Sequence, residues 1–274
     1  HKAVFRNIIA PLVSILTFAL LNLPGCERFE YSPYQTQQPS DMPRNINRMN
    51  LAALMSNGVS DDTVSVVFIG DTQRFYDHTS DFVSKVIEIE SADFVIISGD
   101  LTDFGLLQEF IWMIDILNKL HVPYFVVVGN HDLATSKYVY EEVFGSRDFS
   151  FEYNGHKFVF HDTNSREYNF NGLIPDVSWL TGQLSDTSLT GIVAISHVAP
   201  FQLDFDPSLK EPYTSLFANS SNFVVSLHGH AHSTIDLEYY GDGVRYIISN
   251  SPDKREALLL KFYEGNLDKS FFSF

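Results

Sequence analysis

Two patterns of apolar positions alternate along the chain from residue 63 onward. "TVSVVFIG" (63–70), "DFVIISG" (93–99) and "PYFVVVG" (123–129) are unbroken apolar runs rich in β-branched residues, the signature of strands covered on both faces. Residues 79–90, 105–120 and 136–144 instead carry helical spacing, and this β-α-β-α order predicts parallel strands joined by crossover helices. The second half reads differently. "FSFEYNGHKFVFHDT" (149–163) predicts two strands around Asn154-Gly155, a strong hairpin signal. A helix near 176–185, a strand over 191–197, a helix over 209–219 and a strand over 223–230 follow. A second hairpin turns at "GDG" within 234–250, and two strands near 256–263 and 268–273 finish the chain. Helical spacing over 45–57 precedes the first strand. No internal repeat is present. The pattern predicts a mixed α/β architecture of two sheets, face to face, with helices outside.

Residues 1–26, "HKAVFRNIIAPLVSILTFALLNLPGC", follow another pattern. Lys2 and Arg6 precede an apolar run over 8–23 that contains Pro11 and Asn22. The run is short for a spanning helix, which needs about 20 apolar residues. It fits an export signal. "LPGC" resembles a lipoprotein processing box, with Cys26 as the lipidated mature end and Pro24 as the departure from the pattern. An ordinary cleaved signal and an uncleaved anchor are the alternatives. Residues 27–44, rich in Pro, Gln and Ser, are expected to be a tether, and 45–274 the folded domain. The expected address is therefore a bacterial cell envelope, with a lipid anchor in the membrane.

Charge narrows the partners. The formal net charge is −16, which repels phosphate backbones and argues against a nucleic-acid scaffold. It leaves a small phosphorylated substrate open, because bound cations reverse the sign locally. Cys26 is the one cysteine, so the chain contains no internal disulfide.

Chemistry enters where the strands stop. Asp71 and Gln73 follow the first strand, Asp100 and Asp103 the second, and Asn130, His131 and Asp132 the third. His197 follows a later strand, and "HGHAH" places His228, His230 and His232 after the next. Alone, a Gly-Asp after a strand is a turn and a His there is a hydrogen-bonded pocket residue. Together, oxygen and imidazole donors from five strand ends are what a site for two first-row transition metals needs. Gly70, Gly99, Gly129 and Gly229 are read as tight turns that aim the next side chain inward.

The series "GD…GDLTD…GNHD…H…GHAH" resembles the calcineurin-like metallophosphoesterase superfamily over about residues 63–250. The resemblance implies a four-layer α/β/β/α sandwich of two mixed sheets flanked by helices. It implies two divalent metal ions (Mn, Fe, Zn or Mg), with Asp71 and His232 on the first, Asp100 bridging, and Asn130, His197 and His230 on the second. Gln73 stands where many members carry His, and is expected to offer an oxygen or bind a metal water. The implied reaction is in-line attack of a metal-bridging hydroxide on a phosphomonoester, phosphodiester or pyrophosphate. His131 would protonate the leaving oxygen, and Asp103 would orient and charge His131. Asp132 is expected to cap the following helix. Arg74 either contacts a phosphate or is an ordinary surface arginine. His161 and Asn164 are expected beside the pocket, Asn164 as a substrate contact. His228 is either structural or functional. Loops 165–175 and 199–214 would choose among nucleotide, lipid or glycan phosphates. The alternative is a binding lipoprotein on the same fold without catalysis, which predicts lost ligands or a lost His131.

Overall fold

The computed structural model describes residues 32, 34–40, 42–56, 58 and 62–274. The chain divides into two units, residues 1–35 and 36–274. The expected signal segment and Cys26 lie outside the described residues, as does most of the first unit. The second unit begins at Thr36, ahead of the expected boundary at residue 45. The reason is visible in two contacts: Met42 packs against the core, and Arg44 pairs with Glu142 at 3.0 Å.

One sheet combines β1 (Val64–Ile69), β2 (Phe94–Ile97) and β3 (Tyr124–Val126) with the last two strands, β10 (Glu256–Tyr263) and β11 (Asn266–Ser273), in the order β11-β10-β1-β2-β3. β1, β2 and β3 are mutually parallel, as the crossover order predicts. β10 runs antiparallel beside β1 in the register Val66↔Leu260, which makes the sheet mixed. The second sheet contains β4 (Phe149–Tyr153), β5 (His156–Phe160), β6 (Gly191–Ile195), β7 (Phe223–His228), β8 (Ile235–Leu237) and β9 (Tyr246–Ile248), in the order β4-β5-β6-β7-β9-β8. The turn between β4 and β5 has positive φ at both Asn154 (48°) and Gly155 (75°), the backbone that an Asn-Gly hairpin turn requires.

Strand alternation assigns each residue to a layer. Val64, Val66 and Phe68 point between the sheets and meet Val193 and Ile195. Phe94 centres this inner layer, edge-on to Phe125, Phe151 and Phe158 with ring centroids 5.4, 5.8 and 5.1 Å away. Val67 and Ile69 point the other way, onto helices α2 (Tyr76–Ile87), α3 (Leu107–Leu117) and α4 (Lys137–Phe144). On the far side, Ile192 and Ala194 carry α5 (Val177–Gln183) and α6 (Lys210–Ala218) through Leu180, Tyr213 and Phe217. A further helix, α1 (Ile46–Ser56), precedes β1. The result is the α/β/β/α order of layers.

Several boundaries differ from the sequence pattern, those of α2 and β3 among them. α2 starts at Tyr76 rather than residue 79, because Tyr76 packs edge-on against Trp112 (5.9 Å) and Asp77 places a negative charge in the first turn. β3 is three residues long; Val127 N still donates to the Ile97 carbonyl of β2 at 3.2 Å, and the chain then runs on toward Asn130.

Candidate metal centre

Asp71, Asp100, Asn130, His197, His230 and His232 converge at the carboxyl ends of the strands. Asp71 and Asp100 are fully or almost fully buried, as is His197. Asn130 Oδ1 lies 3.1 Å from His197 Nε2 and 3.0 Å from His230 Nδ1. Asp100 Oδ2 lies 3.3 Å from His197 Nε2, and Asp71 Oδ1 lies 3.3 Å from His232 Nε2. Two groups of potential ligands result, Asp100–His197–His230 and Asp71–Asp100–His232, each with its ligand atoms within 4.8 Å of one another. Asp100 belongs to both.

The backbone that achieves this differs from the expected one. Positive φ falls on the ligand candidates themselves: Asp71 (53°), Asp100 (55°), His230 (69°) and His232 (52°). Four non-glycine residues in the left-handed region at one point is strain stored at a site. Of the four glycines read as turns, only Gly99 has positive φ (95°). The others serve close approach instead. A Cβ on Gly129 would overlap the main chain and carboxylate of Asp100.

The donor set fits a cation. His197 Nδ1 lies 2.7 Å from the Ser98 carbonyl, which can only accept, so a neutral His197 carries its proton there. Its Nε2 lone pair then faces two further acceptors, Asn130 Oδ1 and Asp100 Oδ2. Such a cluster repels itself unless a positive charge sits among it. Burial opposes charging His197, yet Asp100 and Asp71 raise its pKa to about 10, which is the same demand expressed as affinity for a proton. Burial raises the Asp71 carboxyl to about 8. Burial acts the same way on Asp100, but His197 and His131 outweigh it and hold that carboxyl below its ordinary range. Burial and the neighbouring His197 depress His230 to about 4, so its ring is neutral and free to donate a lone pair. Carboxylate, amide oxygen and imidazole suit Mn²⁺, Fe²⁺, Zn²⁺ or Mg²⁺.

Several residues sit differently from the sequence expectation. The bond to His131 Nδ1 comes from the main-chain oxygen of Asp103 at 2.8 Å, and the Asp103 carboxylate instead takes the Arg74 guanidinium, with Nε at 2.9 Å. Asp103 thus orients His131 without lending it a carboxylate, because the chain turn at 103 presents its carbonyl inward. Asp132 does not cap the next helix. Ser136 does, accepting Tyr138 N at 3.2 Å. The buried Asp132 carboxylate accepts Leu101 N, Thr102 N, Thr102 Oγ1 and Gly129 N at 2.9–3.0 Å, which braces the second and third loops together. Burial first, and then Asp100, raise its pKa to about 7. Asn164 is not a substrate contact. It is fully buried, and its amide donates to the Val128 carbonyl at 3.0 Å, under the Asn130 loop. His161 is likewise packed away, 2.8 Å from the Tyr213 hydroxyl. His228 is structural, held by Ser196 at 3.0 Å and Ser226 at 2.8 Å. Gln73 is buried, and its amide nitrogen is satisfied facing Asp100 Oδ2 (3.1 Å) and the Thr102 carbonyl (3.3 Å). This gives it a contact that steadies Asp100. Arg74 is exposed at the rim.

Asp204 was not legible as a site residue. Its carboxylate lies 3.3 Å from His230 Nε2, yet nothing in "LDFD" separates it from its neighbour Asp206. A cavity of about 580 Å³ lined by Thr63, Ser65 and Asp93 opens at the opposite, amino ends of the strands; the titratable cluster is nowhere near it.

Solved structures share the fold. A dimetal phosphatase from Danio rerio matches with a TM-score of 0.58 at 14% identity, over 75% of this chain and 98% of that one. A purple acid phosphatase from yellow lupin (Lupinus luteus) seeds matches with a TM-score of 0.63 at 12% identity, over 78% of this chain and 52% of that one. GAP50, the anchor in the inner membrane complex of Plasmodium, matches with a TM-score of 0.60 at 14% identity, over 77% and 84%. No curated protein is significantly similar in sequence. The family model for the calcineurin-like phosphoesterases matches residues 64–248, which span β1 to β9 and every strand end described above, and the chain belongs to that family.

Proposed function

We propose that the protein is a hydrolase of phosphate esters or phosphoanhydrides that works with two divalent ions. The observation that carries this reading is Asp100, shared by two groups of ligand-competent atoms in a cluster of acceptors that demands positive charge. In this reading Asp71 and His232 hold one ion, Asn130, His197 and His230 hold the other, and Asp100 spans both. When bound, two such ions supply Lewis acidity that activates water and neutralises phosphate charge.

The chain's own residues do the rest. The main-chain oxygen of Asp103 fixes the Nδ1 proton of His131, so Nε2 is the nitrogen that takes up a second proton, and the resulting imidazolium passes that proton to the leaving oxygen and returns to the neutral Nδ1–H form. His131 N donates to Asp100 Oδ1 at 2.9 Å, which ties this acid to the shared carboxylate. Arg74, held by Asp103, offers a guanidinium to a substrate phosphate at the same rim. Asp132 and Gln73 keep the two loops in place. The acidic surface favours small phosphorylated substrates, such as a nucleotide or a lipid or glycan phosphate, over polyanions. Export and lipid attachment at Cys26 complete the proposal. Lipid-precursor labelling lost in Cys26→Ser supports the anchor, and label retained in that variant removes it.

One specific observation favours keeping a second reading: the Plasmodium neighbour is an anchor in a membrane complex, so this fold also serves without being described by catalysis. A single assay separates the two. Matched chromogenic phosphomonoester and phosphodiester substrates are offered with Mn²⁺, Mg²⁺, Zn²⁺ or Fe²⁺ in turn. Metal-dependent turnover that disappears in His131→Ala and Asp100→Asn is the expected result. Two bound ions without turnover of any substrate would leave the binding-protein reading.

A further inference from the structure

His230 is the one proposed ligand whose far nitrogen meets a carboxylate from outside the strand-end motifs. Its Nδ1 faces Asn130 Oδ1, and its Nε2 lies 3.3 Å from Asp204 Oδ2. Asp204 in turn receives Arg166 Nη1 at 3.2 and 3.3 Å on its two oxygens. We infer that Asp204, steadied by Arg166, is the positioning carboxylate of the second metal site, holding the His230 ring so that Nδ1 presents its lone pair to the ion. This rests on the two-ion reading above and goes beyond it, because neither residue belongs to the strand-end motifs.

Three observations carry the inference. The first is chemical. A carboxylate accepts the Nε2 proton and thereby fixes the tautomer that leaves Nδ1 bare, and it makes that nitrogen more basic. The second is electrostatic. The chain is strongly acidic, with net charge −16, and Asp204 sits mostly covered beside a cluster that already contains Asp71 and Asp100. A partly buried carboxylate at that point costs stability unless a partner offsets it. Its ion pair with Arg166, whose side chain is 64% exposed, is of the surface kind that contributes little. The third is mechanical. Residue 204 is anchored by the two residues that follow it: Phe205 is buried in the outer layer beneath α5 and α6, and Asp206 accepts Gly172 N at 3.0 Å and Ser208 N at 2.9 Å. The loop is therefore a rigid support. Through Arg166 and Gly172 it joins two long loops to one metal ligand.

The test reads metal binding. The full chain is stripped with a chelator and titrated with Mn²⁺ and with Zn²⁺ by calorimetry, in wild type, Asp204→Ala, Asp204→Asn, Arg166→Ala, His230→Ala and the Asp204→Ala/His230→Ala double variant. Wild type should bind two ions. Asp204→Ala should weaken one of the two sites by about 10- to 100-fold and leave the other unchanged. Asp204→Asn, whose amide oxygen still accepts the Nε2 proton, should recover most of that loss, and Arg166→Ala should lose less than about tenfold. In the His230→Ala background, Asp204→Ala should add no further loss. Wild-type affinity at both sites in Asp204→Ala overturns the inference, as does an undiminished effect of Asp204→Ala when His230 is absent. The thermal midpoint of each stripped variant reports folding, and Asp204→Asn keeps the test open if the alanine variant does not fold. A wild type that binds two ions yet turns over no phosphoester sinks the catalytic reading and leaves this inference standing. A wild type without a second site overturns both.

Discussion

The two sheets contribute different chemistry to one seam. The five-stranded sheet ends in oxygen donors, Asp71, Asp100 and Asn130, and the six-stranded sheet ends in nitrogen donors, His197, His230 and His232. Neither set closes a site alone. Carboxylates gathered at one sheet edge repel each other, and neutral histidines at the other have nothing to bind. Facing each other, they make a cluster short of positive charge. The contrast continues inside the second sheet. His161 and His228 sit at similar strand ends, but hydroxyls face them instead of carboxylates, and burial keeps both neutral. What separates a candidate ligand from a core histidine is the element opposite.

The largest effect should come from breaking the residue that the two halves share. Asp100→Ala is expected to lower kcat/KM by roughly 10³-fold, the equivalent of several kcal/mol of lost transition-state stabilisation, and to release metal from both sites by elemental analysis. A variant that keeps both ions would show that the seam does not depend on the shared carboxylate. His131→Ala should cost about 10²- to 10³-fold in kcat with both ions retained. Loss of metal in that variant would instead make His131 a structural part of the cluster.

Asp132→Ala tests whether the oxygen side needs its brace. Four donors lose their acceptor, and the stability loss should be about 3 kcal/mol by denaturant unfolding. A loss below about 1 kcal/mol would mean that the loops hold themselves.

The core histidines sharpen the contrast through pH. Burial lowers His161 from 6.5 to about 4, and His228 is lowered further. The unfolded chain takes up protons near pH 6.5 that the folded chain refuses, so stability is complete above that pH and falls as the pH drops toward 4. At pH 5 the deficit from His161 alone is roughly 2 kcal/mol. His161→Gln should flatten the slope in unfolding measured between pH 7 and 5, and an unchanged slope would show that His161 is solvated.

Arg74→Ala should have the smallest effect. Its exposed pair with Asp103 supports stability by less than about 1 kcal/mol. KM should rise with little change in thermal midpoint, and an unaltered KM would return Arg74 to the ordinary surface.

The sequence alone determined the layers and, through its family resemblance, the candidate ligands. Short apolar runs rich in β-branched residues and closed by glycine read as strands covered on both faces, so their order implied parallel strands and outer helices. The polar residues placed just after them had no core to enter, which made the strand ends legible as one site, and the family resemblance singled out Asp71, Asp100, Asn130, His197, His230 and His232 among them. Gln73, Asp103, Asp132 and Asn164 were visible as polar groups at the same place, but their partners were not. Which atom of Asp103 faces His131, which loops Asp132 ties, and whether Asn164 sees solvent depend on turns of a few residues whose φ angles no local pattern encodes. Asp204 is the clearest case. It reaches His230 across 26 positions of chain, from a loop with no periodicity, through a contact that depends on Phe205 and Asp206 pinning the chain just after it. Only the tertiary structure could decide it, because period and composition report which face a residue prefers, and a contact between distant side chains depends on where another part of the chain has been placed.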